Sequence, residues 1–310
     1  MRIGLFVDRP AVVHVIAVRI ADHRPLFVIN IFRAESRHLH GLGPCLLGSR
    51  ALKGSPLRHR VLYSPHLAYC DSPWAGLLSR LLPSHLQPMQ GAAVTASFAE
   101  AQTLSKLLNR SAEVLPHPVS DVFFEVERGE GARPHVLADG YGAGALDRVT
   151  RLAVLLNGRE ARVPITWIGA ADAAARAQLE AAGVPLLALP EDAERAQTLS
   201  RASAFIHVAT DKRLPLAAAQ AMAAGVPCLV SDTPSHRALV RHGETGFVCT
   251  SERDFLEKLV VLLRDRAERE RIGQAARAEA QRRFTLQHVE GAQLRAYRLT
   301  KTKALEHVHR

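Results

Sequence analysis

Residues 214–228 read Leu-Pro-Leu-Ala-Ala-Ala-Gln-Ala-Met-Ala-Ala-Gly-Val-Pro-Cys, and this stretch decides the fold. Its alanine-rich centre, Leu216–Ala223, favours a helix, and Gly225–Pro227 is typical of a helix end. The apolar run Ala204–Val208 precedes it and has the length and composition of a buried parallel strand. Leu229–Val230 follows the helix and returns to the sheet. A strand, a helix and a second strand in this order predict a βαβ unit of a parallel sheet.

The loop between the strand and the helix is the natural place for a phosphate site. In a doubly wound sheet, the loop that follows a strand and the N-terminus of the next helix together attract anions. Lys212–Leu216 occupies that place in this chain.

The rest of the chain alternates strands and helices of similar length. The predicted strands are Ala92–Ser97, Ser111–Pro118, His135–Gly140, Pro164–Gly169 and Pro185–Pro190, and the predicted helices are Ala99–Asn109, Leu146–Asn157, Ala173–Gly183, Glu252–Asp265 and Leu286–Thr300. Such alternation argues for parallel sheets joined by right-handed crossovers. Glu125–Pro134 is charged, contains glycine and lacks periodicity, which predicts a linker between two domains.

Composition excludes several classes of protein. A chain of 310 residues with 47% apolar residues is large enough for two domains and their cores. No apolar run reaches about 18 residues, so no membrane-spanning helix is predicted. The first residues lack the apolar core and cleavage site of a signal peptide. The four cysteines (Cys45, Cys70, Cys228 and Cys249) lack metal-ligand spacing, which favours reduced thiols and a cytoplasmic protein.

The formal net charge of +10 calls for an explanation. In the region Arg264–Arg310, arginines alternate with acidic residues as on a solvated helix face with internal ion pairs. The overall excess of positive charge also fits an anionic acceptor, the inner membrane face or DNA as a partner. No DNA-binding motif is present. Neither Asp-x-Asp nor a set of residues with zinc spacing occurs, so no metal or cofactor is predicted.

Residues 212–227 resemble the donor-nucleotide half of retaining glycosyltransferases with the GT-B fold, especially family four, or group 1. There the run reads glutamate, one residue, Leu-Pro-Leu-Ala, two apolar residues, and glutamate-Ala-Met-Ala-Ala-Gly-x-Pro. Pro116–Phe123 also resembles the exit from the N-terminal domain of these enzymes. The resemblance implies an α/β protein with two Rossmann-like domains whose parallel sheets face a cleft. It implies a shortened acceptor domain over 1–127, a donor domain over 128–285, and a helix over 286–310 that crosses back to the N-terminal domain.

The two glutamates of the family fall on Lys212 and Gln220. In the family the first holds the transferred sugar and the second holds the ribose of the nucleotide. Gln220 still offers a carbonyl oxygen to a ribose hydroxyl, whereas Lys212 reverses the charge. Three interpretations of Lys212 stay open: it meets a phosphate or an acidic sugar, it marks a catalytically silent member, or the alignment shifts by one and places Asp211 near the sugar.

Other site residues also follow from the resemblance. The implied donor-binding residues are Gln220, Arg148, Gly140, Gly142, Leu214, Pro215, Leu216, Ala217, Ser235 and His236, and the implied catalytic residues are Lys212 and His66. Arg148, with Arg151 near it, would grip the donor diphosphate. The glycines also fit a surface turn, and Thr233 or Ser235 also fits a helix N-cap.

The resemblance implies an enzyme that moves a sugar from a nucleotide-diphospho-sugar (a UDP- or GDP-sugar) to a cell-surface polysaccharide or glycolipid. It implies front-face displacement with retention and without metal. Such a protein would be cytoplasmic or peripheral to the inner membrane face. Two alternatives stay open. Replacement of both glutamates fits a non-catalytic GT-B protein that binds or stabilises a partner, and the basic charge fits a DNA-modifying glycosyltransferase.

Overall fold

A computed structural model provides the structure of this chain. It describes residues 12–16, 18–19, 25–26, 36–40, 45, 49–50, 52–54, 58, 61–64, 84, 86, 91–129, 134–141, 144–157, 163–188, 191–210 and 213–308. The chain divides into two compact units, one formed by Met1–Pro116 with Glu290–Arg310 and the other by His117–Val289. The predicted domain boundaries after residues 127 and 285 stay predictions, since part of the predicted linker, 130–133, lies outside the described residues.

The first unit is built on a five-stranded parallel sheet. Its strands are β1 (Val12–Ile16), β4 (Ser36–His40), β5 (Val61–Ser64), β6 (Ala92–Thr95) and β7 (Ala112–Val114), in the spatial order β1-β4-β5-β6-β7. The short strands β2 (Val18–Arg19) and β3 (Pro25–Leu26) form an antiparallel ribbon. Helix α1 (Phe98–Leu108) joins β6 to β7, and the Ser97 side chain caps its first turn by accepting a hydrogen bond from the Glu100 amide at 3.1 Å.

Side chains from the two faces of β5 and β6 enter two separate clusters. On one face Val61, Tyr63 and Ala93 pack with Leu104 of α1. On the other face Leu62, Ala92 and Val94 pack with Ala296. Ala296 belongs to the last helix, α10 (Leu286–Val308). The C-terminal helix therefore completes the core of the first unit.

The second unit holds a second five-stranded parallel sheet. Its strands are β8 (Val136–Tyr141), β9 (Ile165–Trp167), β10 (Ala204–Ala209), β11 (Cys228–Ser231) and β12 (Gly246–Cys249), in the spatial order β12-β11-β10-β8-β9. Its helices are α2 (Val122–Glu125), α3 (Ala145–Asn157), α4 (Ala173–Ala181), α5 (Asp192–Ser200), α6 (Leu216–Ala223), α7 (Pro234–Leu239), α8 (Glu252–Arg264) and α9 (Arg266–Phe284). The chain runs outward from β8 to β9 and then crosses to β10 on the other side. The pair β8/β10 is therefore the topological switch point of the sheet.

Successive side chains along each strand of the second sheet point to opposite faces, so the second unit has two cores, one on each face. Leu137 and Phe205 point to the face covered by α2, α5, α6 and α9. Val136, Ala138 and Ile206 point to the face covered by α3, α4 and α8. Because helices cover both faces, the strands are apolar almost throughout, as parallel strands usually are.

Helix α6 ends as its sequence predicts. The Val226 amide donates to the Ala221 carbonyl at 2.9 Å, and Gly225 takes the left-handed conformation with φ +74°. This is the Schellman ending, which favours glycine at that position. A methyl group on Gly273 of α9 would lie 2.3 Å from the Gly225 carbonyl oxygen. Glycine at position 273 of α9 thus permits the close approach of α9 to the end of α6.

Most predicted elements of the second unit are confirmed. Leu216–Ala223 is a helix over those residues, and the strand predicted over Ala204–Val208 ends one residue later. The strand predicted over Pro185–Pro190 is wrong for its described part, where Leu186 forms a single bridge to Trp167. Pro185 has no amide N–H to donate, which limits the pairing there.

Two further observations concern the cysteines and the helices. Cys45 is buried, Cys228 and Cys249 are buried free thiols, and Cys70 lies outside the described residues. Across the ranges that the structure describes, no helix combines the length and the apolar character needed to cross a bilayer.

Candidate active site

The candidate site lies at the carboxyl ends of β8 and β10, at the switch point of the second sheet. Ligands of open α/β sheets bind outside this edge, where the loops after two neighbouring strands diverge. The loop after β8 leads into α3, and the loop after β10 leads into α6.

The end of β8 and the turn after it contain glycines that are needed for different structural reasons. A methyl group on Gly140 would lie 2.3 Å from the Val208 carbonyl oxygen, so the neighbouring strand β10 requires glycine there. Gly144 adopts φ +79° with open space around it, and its carbonyl accepts the first helical hydrogen bond of α3 from the Arg148 amide at 3.0 Å. The phosphate contact inferred for Gly140 stays a prediction.

The two arginines at the start of α3 differ in whether their side chains are already paired with another residue. Arg151 forms an ion pair with Glu252, with 2.6 Å between its Nε and the carboxylate oxygen. The half-buried side chain of Arg148 makes no hydrogen bond or ion pair with any residue in the described ranges. Arg148 is therefore the arginine of this pair that remains available to an anion.

Helix α6 begins without a side-chain cap. Pro215 is its N-cap residue, and its first turn carries no acidic side chain. Leu214, Leu216 and Ala217 are half-buried around this end, and Pro215 is buried. The positive end of a helix whose first turn carries no acidic side chain favours a bound phosphate. Gln220 lies one turn further along α6 and is half-buried.

A cation–π contact connects the two loops. The guanidinium carbon of Arg213 lies 4.2 Å from the centre of the Tyr141 ring. Tyr141 ends β8, and Arg213 follows β10 in the chain, so the contact spans the switch point. Sequence reasoning missed Arg213, although its position directly after Lys212 was a usable signal.

Behind the loops lies a buried pair of histidines. Nδ1 of His236 lies 2.7 Å from the Ser231 carbonyl oxygen, which only accepts hydrogen bonds, so Nδ1 carries a proton. Nε2 of the same ring lies 2.8 Å from Nδ1 of His207. In the neutral pair His236 Nε2 is therefore the acceptor and His207 Nδ1 is the donor.

This arrangement leaves one acceptor without a donor. Nε2 of His207 is buried and has no hydrogen-bond partner among the described residues. Burial, and then the neighbouring His236, hold the pKa of His207 well below its ordinary value of 6.5. His207 is thus neutral at physiological pH. A histidine in the otherwise apolar run Phe-Ile-His-Val was the sequence signal for this pair.

Ser231 ties the histidine pair to the end of β10. Its hydroxyl donates to the Ala209 carbonyl at 2.8 Å and accepts from the Ala209 amide at 3.0 Å. These two bonds continue the strand pairing of β10 and β11, whose register ends at His207 and Val230. The last residue before the loop to α6 is therefore held by a side chain.

A partly buried carboxyl group lies beside His207. Asp139 pairs with His207 in the β8–β10 register, so both side chains point to the same face. Its Oδ1 accepts a hydrogen bond from the Gly140 amide at 2.7 Å, and Arg195 lies 3.9 Å from its Oδ2. Burial raises the pKa of Asp139 despite that bond and that arginine. Sequence reasoning did not single out Asp139.

The remaining residues that were predicted for the site are either buried or outside the described ranges. Ser235 and His236 are buried, and Thr233 caps α7 by accepting a hydrogen bond from the His236 amide at 3.2 Å. Donor contact by Ser235 or His236 stays a prediction. Lys212, Gly142 and His66 lie outside the described residues. Within the described part of the chain, no three His, Cys, Asp or Glu side chains are grouped to hold a metal ion.

Residues 177–279 match the model of the family described as glycosyl transferases group 1. These residues include β10, α6, the histidine pair and most of α9. No curated protein matches the chain in sequence.

Several solved structures share the fold. Sucrose-phosphate synthase from Thermosynechococcus elongatus is 17% identical with a TM-score of 0.65, covering 86% of this chain and 74% of that one. Anabaena HepE, solved in complex with UDP and glucose, is 15% identical with a TM-score of 0.69, covering 87% and 78%. A glycosyltransferase from Rickettsia africae is 11% identical with a TM-score of 0.67, covering 87% and 77%. The predicted GT-B fold and the resemblance to group 1 glycosyltransferases are confirmed.

Proposed function

We propose that this protein, whose residues 177–279 match the family model of group 1 glycosyltransferases, is a glycosyltransferase that takes its sugar from a nucleotide-diphospho-sugar. The observation that carries the proposal is the Arg148 side chain, which lies at the switch point and forms no ion pair with a described residue. The uncapped start of α6 supports it from the neighbouring loop. Together they offer a guanidinium group and helix amides to a diphosphate.

Each group has a defined role in the proposed reaction. Arg148 and the first-turn amides of α6 stabilise the charge that develops on the departing diphosphate. The bond between the anomeric carbon and the phosphate oxygen breaks, and the acceptor hydroxyl forms the new bond on the same face of the sugar. The acceptor proton passes to the departing phosphate oxygen. Gln220, half-buried on α6, accepts a hydrogen bond from a ribose hydroxyl of the nucleotide.

The donor and acceptor are proposed at the level of chemical class. HepE is bound to UDP and glucose in its solved structure, which favours a uridine diphosphate sugar over a GDP-sugar here. The net charge of +10 favours an acceptor with negative charge, such as a glycolipid or a surface polysaccharide. The same charge is the only observation in favour of DNA as acceptor.

A matched pair of variants tests the donor site. We expect UDP to raise the melting temperature of the wild-type protein, since saturation at about 100 times Kd adds roughly 2.7 kcal/mol. Arg148→Ala should weaken UDP binding by about tenfold or more, because a hydrogen bond to a charged group contributes about 1.5–3 kcal/mol. Isothermal titration calorimetry measures the change in Kd.

Arg151→Ala is the control, because it removes an arginine of the same helix that is already paired with Glu252. It should leave the Kd for UDP near the wild-type value. Equal losses in the two variants would contradict the assigned role of Arg148. No response of the wild-type protein to UDP, GDP, ADP, CMP or dTDP would instead favour the non-catalytic alternative.

A further inference from the structure

The loop 210–215 joins the end of β10 to the first turn of α6. Its residues 211 and 212 lie outside the described ranges. The loop leads to the helix start that is proposed to bind the donor diphosphate, so its position sets the direction in which those amides point. Two described contacts hold it, one at Ala209 and one at Arg213, and both lead back to the buried side chain of His207.

The contact at the start of the loop runs through three hydrogen-bonded side chains. Nδ1 of His207 donates to Nε2 of His236 at 2.8 Å, and Nδ1 of His236 donates to the Ser231 carbonyl at 2.7 Å. The Ser231 hydroxyl in turn holds the amide and the carbonyl of Ala209, at 3.0 and 2.8 Å. The backbone pairing of β10 with β11 has already ended at His207. These side chains therefore replace the strand pairing at the last residue of β10.

The contact at the end of the loop runs through two rings. The ring centres of His207 and Tyr141 are 5.2 Å apart, with an angle of 72° between the ring planes. The guanidinium carbon of Arg213 lies 4.2 Å from the centre of the same Tyr141 ring. Edge-to-face aromatic contacts and cation–π contacts both favour a defined geometry. Arg213 lies two residues before Pro215, the N-cap residue of α6, so this contact reaches the start of the helix.

The packing of the core does not by itself call for a histidine at position 207. The other five residues of β10 are apolar or alanine, and all six are buried. An apolar side chain would fill the position without burying polar atoms, whereas Nε2 of His207 has no hydrogen-bond partner among the described residues. Buried hydrogen-bond networks rigidify a structure and specify one arrangement. The network of His207 thus contributes a fixed position of the loop rather than a better-packed core.

We propose that His207 is a positioning residue of the donor site, which holds the loop 210–215 and the first turn of α6 in the orientation that receives the diphosphate. This inference rests on the proposed function. His207 is fully buried and does not touch the donor. It acts through His236 and Ser231 at one end of the loop and through Tyr141 at the other.

Hydrogen exchange of the Ala209 amide tests the first contact without a ligand, because this amide donates to the Ser231 hydroxyl. His207→Leu removes the donor to His236 and should accelerate the exchange about fivefold, as expected for the net contribution of one hydrogen bond. His207→Asn should keep the exchange near the wild-type rate, because its amide group offers an N–H close to the position of Nδ1. Nuclear magnetic resonance measures the rate for this single amide.

Ile206→Val is the matched control, because Ile206 neighbours His207 on β10 but points to the opposite core. It should leave the Ala209 amide at the wild-type rate. Equal acceleration in Ile206→Val and His207→Leu would indicate a general loosening of β10 and overturn the inference. An unchanged rate in His207→Leu would overturn it as well.

UDP binding, measured by calorimetry, tests whether the held loop matters to the donor. His207→Leu should raise the Kd about fivefold. His207→Asn should fall between this variant and the wild type, because it keeps the bond to His236 but lacks the ring beside Tyr141. A loss of fold stability alone would leave the Kd of the folded protein unchanged, so an unchanged Kd in His207→Leu overturns the inference.

The two proposals fail in different ways. A wild-type protein that binds none of the five nucleotides contradicts the proposed function, and the Ala209 exchange rates then decide by themselves whether His207 holds the loop. A wild-type protein that binds UDP, together with a His207→Leu variant that matches it in exchange and in Kd, contradicts only the role of His207.

Discussion

His207 shows how a single residue can join the sheet to the candidate site. Its ring is buried at the end of β10, donates through Nδ1 to His236 and leaves Nε2 without a described partner. An unsatisfied buried acceptor costs free energy, commonly about 1–3 kcal/mol. Such groups concentrate at functional sites. His207 positions the loop ends through His236 and Ser231 and does not itself need to reach a ligand.

The low pKa of His207 predicts the direction of acid destabilisation. The folded protein keeps this imidazole neutral, whereas the unfolded chain binds a proton as the pH falls through about 6.5. Its contribution to the free energy of unfolding is therefore present above that pH and lost below it, by up to about 1.4 kcal/mol per pH unit. We expect His207→Asn to reduce the pH slope of stability between neutral and mildly acidic pH.

Urea unfolding across that pH range measures the slope. His288→Asn is the control, because His288 is exposed on α10 and its removal should leave the slope unchanged. A slope in His207→Asn equal to that of the wild type would refute the link between this histidine and acid stability.

At the scale of elements, the contact between α6 and α9 shapes the second unit. Helix α6 presents Ala218, Ala221 and Met222 to the core, and α9 presents Ala276 and Ala280 to the same cluster. Small side chains allow the two helices to approach closely, and glycine stands at 273 for the same reason, because a methyl group there would meet the Gly225 carbonyl oxygen. This packing holds helix α6, at whose first turn the diphosphate is proposed to bind.

Gly273→Ala tests this packing. The added methyl group would meet the Gly225 carbonyl oxygen at 2.3 Å, a backbone atom that cannot rotate away. We expect a loss of about 1–3 kcal/mol in the free energy of unfolding. Gly291→Ala in α10 is the control. Its methyl group meets only the end of the Arg295 side chain at 3.5 Å, so it should gain up to about 1 kcal/mol from helix propensity.

Unfolding monitored by circular dichroism gives both values. A stabilised Gly273→Ala protein would show that α6 and α9 are packed less closely than described.

At the scale of the whole molecule, the chain returns to its first unit after completing the second. Residues Glu290–Arg310 belong to the same compact unit as the strands of the first sheet, although some 170 residues separate them in sequence. Ala296 makes the contact between this last segment and the first sheet: it is 2% exposed and packs on Leu62, Ala92 and Val94.

Ala296→Asp should destabilise the first unit selectively. A buried carboxylate without a partner is among the costliest substitutions, commonly several kcal/mol. We expect hydrogen exchange to accelerate at β5 and β6 while β10 and β11 keep their protection. Leu294→Asp is the control, because Leu294 is 58% exposed on the same helix and should tolerate a charge. Unchanged exchange at β5 and β6 would contradict the packing of α10 on that sheet.

The sequence by itself determined α6, its glycine ending, the strands on either side of it and the likeness to group 1 glycosyltransferases. These follow from local causes: helix propensity, the left-handed conformation of Gly225 and the apolar period of buried strands. The start of α3 was also predicted. The sequence did not show which of its two arginines forms an ion pair, because Glu252 is distant from Arg151 in sequence.

Only the tertiary structure decided which distant residues meet. It joined His207 of β10 to His236 of α7 and gathered Arg128, Arg201, Arg266 and Arg269 around one cavity. No local period or spacing predicts such contacts, because they depend on the order of strands in the sheet and on how helices cross its faces. The structure also showed the error over Pro185–Pro190, where Pro185 has no amide N–H to donate to the sheet. Its described part has strand-like residues, but it pairs with Trp167 at one position only.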